Sequence, residues 1–153
     1  NAFSFRELAA DVGIKSSSIH YHFPTKPLLA EALARRYTER VRERLGDVIG
    51  MSAGEAKSRV SALFRDALVK DDCMCLCGLL GAERDALPPG VNAAVADFFR
   101  LIIAYLRTAF ARTAHTEPPE AVLAQLEGAL ILARSLRDVA IFDAALGTNS
   151  ART

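Results

Sequence analysis

Residues 16–22 hold three hydroxyls in a row, Ser16, Ser17 and Ser18, and then the planar rings of His20, Tyr21 and His22 beside a single aliphatic, Ile19. Short donors and flat rings are poor material for a packed helix face and good material for phosphate oxygens and base edges. Lys26 follows where a helix terminus would add its partial positive charge to the ammonium, and Arg6 lies upstream. Such a set grips a polyanion; it does not break bonds. The charge distribution agrees. Residues 1–45 carry eight Lys/Arg against five Asp/Glu, a net +3, whereas residues 46–153 carry eleven against thirteen, a net −2.

Other chemistries find less support. His20 and His22 are two apart, so on a helix they point to different faces, and no Cys, Asp or Glu stands near them at ligand spacing. No metal and no cofactor is therefore expected. Paired carboxylates and a glycine-rich phosphate loop are also missing, so the chain does not read as an enzyme. Cys73, Cys75 and Cys77 fall within five residues, odd in number and too close for a disulfide framework, which suits a reducing compartment. They read first as small buried hydrophobes. The alternative is a thiol-based redox sensor, with Cys73 and Cys77 four apart on one helical face.

The elements that must position these residues are helical. Ser4 and Glu7 form a capping box, Phe5, Leu8, Ala9 and Val12 share a face, and Gly13 can end the helix in the left-handed conformation. After Gly13-Ile14-Lys15, the three serines offer N-caps for a short second helix with Ile19 and Phe23 inward, stopped by Pro24. Thr25 caps a long third helix that tolerates Pro27, with Leu29, Leu33, Tyr37, Val41 and Leu45 in a row of spacing four.

Beyond Gly46 and Gly50, Ser52 and Glu55 form a second capping box. It opens a helix with Val60, Leu63, Phe64, Ala67 and Leu68 inside, closed by Asp71 and Asp72. Residues 74–82 are apolar nearly all round, as an enclosed helix at the centre of the larger half would be, and Pro88-Pro89-Gly90 ends whatever follows it. Residues 91–112 and 119–146 form two long amphipathic helices, with residues 114–118 as linker. No alternating pattern of strand length occurs, so the fold class is all-α.

A helix, a short glycine-containing turn and a second helix bearing polar side chains is the helix-turn-helix pattern, whose second helix enters the DNA major groove. Phe5-Arg6-Glu7-Leu8-Ala9, then Gly13-Ile14, then Ser18-Ile19-His20-Tyr21-His22-Phe23-Pro24-Thr25-Lys26, resembles the DNA-binding domain of the TetR family of bacterial repressors. The resemblance covers residues 3–45; beyond them it is one of architecture only. It implies a DNA contact at Arg6, base-facing positions at Ser16, Ser17, Ser18 and His20, phosphate contacts at Tyr21 and His22, and a phosphate clamp at Lys26. It also implies a helix ahead of Asn1, packed over Leu8 and Ile19. One departure is His20, where the family commonly has tyrosine.

The expected organisation is a DNA-binding domain at 1–45 and a helical effector-binding and dimerisation domain at 46–153. A single helix-turn-helix covers half an operator, so two copies should present their recognition helices about 34–36 Å apart, joined through the last two long helices. Gly128, Ala129 and Ala133 leave a narrow strip there for a second helix, within the chain or from a partner. Phe64, Leu68, Met74, Cys77, Phe98, Phe99 and Ile102 are the expected lining for a small apolar or aromatic effector that releases a palindromic operator. With no bilayer-length apolar run and no leader at its start, the chain is expected in the cytoplasm.

Overall fold

The computed structural model describes residues 4–70, 73–112 and 117–147. Among them are eight α-helices and no strand: α1 (Phe5–Val12), α2 (Ser16–His22), α3 (Lys26–Leu45), α4 (Ala53–Val69), α5 (Leu76–Ala82), α6 (Pro89–Phe110), α7 (Pro119–Leu136) and α8 (Val139–Ala145). A short 3-10 turn at Arg84–Ala86 precedes α6. Asp71 and Asp72, expected to close α4, and residues 114–116 of the linker lie outside the described residues.

Local chemistry starts and stops these helices. Both capping boxes form, Ser4 with Glu7 and Ser52 with Glu55, each hydroxyl accepting from the backbone N–H three residues on. Gly13 takes φ 75° and ends α1, with Ile14 N–H donating back to the Ala9 carbonyl at 2.9 Å. Thr25 caps α3 by accepting from Leu28 N–H at 3.4 Å. The serines of α2 do not cap it. Lys15, in extended backbone, is the N-cap, so the chain enters the helix one residue early and all three hydroxyls stay off the cap.

Two separate apolar clusters hold the chain. Phe5, Ala9, Ile19 and Leu29 form the small one, joined by Leu8 and Phe23. The large one is centred on α6 and α7, where Phe98, Ile102, Leu106, Leu126 and Leu130 are fully buried, with Val60 from α4 and Phe142 from α8. α3 runs from the small cluster into the large one. Its Leu45 carbonyl accepts from Arg59 Nη1 at 2.9 Å and from the Tyr105 hydroxyl at 3.2 Å.

Several expected features are corrected. A strict spacing of four drifts about 40° per step around a helix, so the row on α3 cannot stay inside. Leu33 is exposed, and Ala34 and Thr38 are buried in its place. The Thr38 hydroxyl donates to the Ala34 carbonyl at 2.9 Å, which makes its burial tolerable. The segment at 74–82 is not an enclosed central helix, since α5 buries Cys77 while Leu79 is exposed. The 3-10 turn that follows α5 ends at Ala86, ahead of Pro88-Pro89-Gly90, and Pro89 itself begins α6, where its missing N–H costs nothing.

The last long helix is two. α7 ends at Leu136 because Arg137 turns left-handed, φ 54° and ψ 38°. Asp138 N–H then reaches back to the Ala133 carbonyl at 2.9 Å, and the Asp138 side chain caps α8 through Ala140 N–H at 2.9 Å. An arginine thus sits where such a motif normally has glycine. Arg137→Gly is expected to raise stability by about 0.5–1 kcal/mol by relieving the left-handed backbone, less the entropy glycine loses on folding. A thermal melt showing no change or a loss would mean that the arginine side chain contributes more than its backbone costs.

Candidate nucleic-acid interface and effector cavity

α1, the Gly13 turn and α2 make a helix-turn-helix whose inner side is Ile19 on Phe5, Ala9 and Leu29. Its outer side is the polar set. Tyr21 is 82% exposed, and Ser17, Ser18, His20 and His22 are exposed as well, with Ser16 half-buried. The His20 ring stands edge-on to Phe5, centroids 4.7 Å apart, and Tyr21 edge-on to His22 at 5.0 Å. Arg6, Ser16, His20 and Lys26 meet around one shallow hollow with Ser4 and Thr25. Four of the eight residues expected at this interface are therefore brought together, and Ser17, Ser18, Tyr21 and His22 lie along α2.

The hollow is electropositive. Glu7, whose carboxyl is held below its usual range by the Ser4 hydroxyl and backbone N–H, also feels the Lys26 ammonium. The α3 terminus offers less to a phosphate than its position alone implies, because Pro27 has no N–H and the Leu28 N–H is taken by Thr25. Lys26 must act there mainly through its ammonium. Among the described residues no group of His, Cys, Asp and Glu could hold a metal.

Further along, a cavity of about 310 Å³ opens between α3, α4, α6 and α7. Its walls are Tyr37, Phe64 and Phe98 with Val41, Leu63, Ala67, Leu130 and Cys75, and Arg40 and Arg44 stand at its edge. Tyr37 packs on Phe98 with ring centroids 5.3 Å apart. Arg44 is paired with Asp66 at 2.6 Å, whose carboxyl is held low by Lys70 first and by Arg44 as well. Arg40 makes no ion pair among the described residues.

Of the expected lining, Phe64 and Phe98 face this cavity. Cys77 and Ile102 are buried in the core, Phe99 rests on Phe98 at 5.4 Å, Met74 is half-buried, and Leu68 borders a different cleft beside Ala133. Sequence reasoning missed the α3 contribution, Tyr37, Arg40, Val41 and Arg44. The signal is present in residues three and four apart on the long third helix, where Tyr37 and Val41 read as packing in the sequence.

The cysteines do not share a helical face. Cys73 is exposed and lies before α5, Cys75 is the N-cap with its Sγ accepting from Gly78 N–H at 3.4 Å, and Cys77 is inside the helix. Burial first, then the Glu127 carboxyl, pushes both inner thiols up, Cys77 to about 12. A reactive thiol needs the opposite shift. Glu127 itself is raised by burial.

On α7 the small-residue strip divides. Ala129 and Ala133 are buried within the chain, whereas Gly128 faces open space. Ile131, Leu132 and Leu136 are each at least half exposed, and no large apolar residue of α6 is. Among the described residues no helix is long and apolar enough to cross a membrane.

A helix-turn-helix with an exposed polar second helix, carried by one long helix on an all-helical body, defines a DNA-binding regulator. No protein-family model and no curated protein matches the chain. Solved structures do. A TetR transcriptional regulator from Legionella pneumophila matches with a TM-score of 0.79 at 29% identity, over 95% of this chain and 83% of that one. A TetR-family regulator from Agrobacterium tumefaciens matches at 0.75 and 26% identity, over the same 95% and 83%. The reduced form of E. coli NemR shares the fold at 0.74 and 22% identity, again over 95% and 83%. With the helix-turn-helix motif, these matches show that the chain has the fold of the TetR-family transcriptional regulators and is similar to them over most of its length.

Proposed function

We propose that the chain is a cytoplasmic repressor that binds a palindromic operator as a homodimer and releases it when a small apolar or aromatic effector enters the cavity. Residues 1–45 form the DNA-binding domain and 46–153 the effector-binding and dimerisation domain. The observation that carries this reading is α2 itself, with one apolar residue buried and Tyr21 and His22 held out to solvent between Arg6 and Lys26. Ser16, Ser17, Ser18 and His20 face the bases, Tyr21 and His22 the backbone, and Lys26 clamps a phosphate. The exposed apolar side of α7, Gly128 with Ile131, Leu132 and Leu136, supplies the dimer contact, with α8 beside it.

The effector acts by a two-state shift. Tyr37, Arg40, Val41 and Arg44 belong to the same helix that carries the DNA-binding unit, so a ligand that favours a different seating of α3 changes the separation of the two recognition helices.

Fluorescence anisotropy with DNA flanking the chain's own gene, at two salt concentrations, tests the reading. Lys26→Ala is expected to weaken binding to every sequence and to lower the salt slope by about one for each clamp lost. Tyr21→Ala is expected to weaken binding too. Unchanged affinity in both variants would remove the interface assignment. Cys73 is the exposed thiol on which oxidant sensing would have to rest, and replacing all three cysteines with serine separates that response from a ligand response.

A further inference from the structure

We propose that the effector is a protonated amine on a single-ring aromatic body, with Glu127, which lies behind Cys75 at the cavity wall, as its counter-ion. This rests on the effector-cavity reading above.

Glu127 is the anomaly of the core. Both of its carboxyl oxygens are buried, and the weak donor of the Cys75 thiol is all that faces them. Leaving a buried polar group poorly paired is costly, and more so if it is charged. The fold gains nothing in return, since methionine would fill similar space without the cost. Room for the carboxyl comes from Gly78, where a Cβ would collide with Glu127 Oε2. A buried carboxyl met only by a weak thiol donor leaves acceptor capacity for a partner that is not protein.

Its surroundings say what that partner would be. Cys75 both lines the cavity and interacts with the carboxyl, and Leu130, one turn along α7, lines the cavity as well. The carboxyl therefore stands one side chain from the cavity space, and a turn of Cys75 about its Cα–Cβ bond would open the way. The titratable groups that face this corner are Tyr37 from α3 and Cys75 and Cys77 at α5, all without charge at neutral pH. No lysine, arginine or histidine forms an ion pair with Glu127 among the described residues.

A cation placed there meets an uncompensated carboxylate. Its body meets the faces of Tyr37, Phe64 and Phe98, which attract a cation through their ring quadrupoles. At about 310 Å³ the space lies at the small end of ligand pockets and suits one ring rather than several. Arg40 and Arg44 at the outer edge make an aryl carboxylate the rival ligand, although Asp66 already offsets Arg44. Because burial raises the Glu127 carboxyl, an amine must displace any proton held there. Amine affinity should then rise with pH through the acid range.

Isothermal titration of the full chain with three matched probes, 2-phenylethylamine, 2-phenylethanol and 3-phenylpropionate, decides the matter. The amine is expected to bind at least about tenfold more tightly than the alcohol, as a charge-assisted contact in a buried site should. Glu127→Gln, nearly isosteric and checked for folding by circular dichroism, should remove that preference and leave alcohol binding within about twofold. Equal binding of amine and alcohol by the unsubstituted protein would overturn the proposal, as would a preference for the carboxylate that Arg40→Ala abolishes. In both cases the cavity would stand as an effector site of another class. Failure of all three probes to bind at millimolar concentration would overturn both the cavity reading and this one.

Discussion

Phe98→Ala is expected to lower the stability of the chain by about 3–5 kcal/mol, the usual cost of deleting a fully buried aromatic ring. Phe98 is 1% exposed at the middle of α6, the helix around which the large cluster is built, and it carries Tyr37 on one side and Phe99 on the other. Part of the cost is the lost transfer energy of the ring. The rest depends on whether the neighbours can close the gap, and here they are poorly placed to do so, because the ring already borders an open cavity. Urea denaturation at fixed protein concentration should show a lower midpoint with an unchanged slope. A loss under about 1 kcal/mol would mean that α3 settles onto α6 and fills the space.

Ile19→Ala should have a different outcome despite a nominal cost of about 2–5 kcal/mol. The cluster it leaves has only Phe5, Ala9 and Leu29 fully buried, with Leu8 and Phe23 at the margin. A unit that small has little stability of its own to lose. The expected result is local: α1 and α2 lose helicity, amide protons there exchange freely and DNA affinity disappears, while the main cooperative transition of α4, α6 and α7 stays near its original midpoint. Hydrogen exchange read by segment checks this. A single transition that shifts as a whole would show that α3 couples the two clusters tightly enough for them to unfold as one.

Much of this fold was legible in the residues, for identifiable reasons. Capping boxes, Thr25, Pro24 and Gly13 are local signals whose effect does not depend on distant contacts, and the structure has each helix start or stop where they stand. What stayed hidden depends on tertiary context. The break at Arg137 carries no glycine to announce it, and only Asp138 as a cap hinted at it. The opening Pro89 of α6 uses the same residue type that ends helices elsewhere, so the direction of the signal was lost. The polar face of α2 could be read because its residue types contradict burial. The cavity could not, because Tyr37, Phe64 and Phe98 are the same residue types that fill a core, and which of them border empty space is set by how α3 lies on α6.

The two hydrogen bonds on the Leu45 carbonyl have a mechanical consequence. They fix the C-terminal end of α3 to α4 through Arg59 and to α6 through Tyr105, which makes that point a fulcrum. The helix beyond it is 20 residues long, an arm of about 30 Å at 1.5 Å per residue. Swinging such an arm through only about 5° would carry its tip, and the recognition helix riding on it, along an arc of about 2.6 Å. In the symmetric pair proposed above the two arcs would add, so a displacement near the fulcrum no larger than an atomic radius would become a mismatch of several ångströms between the protein's span and the fixed pitch of the double helix.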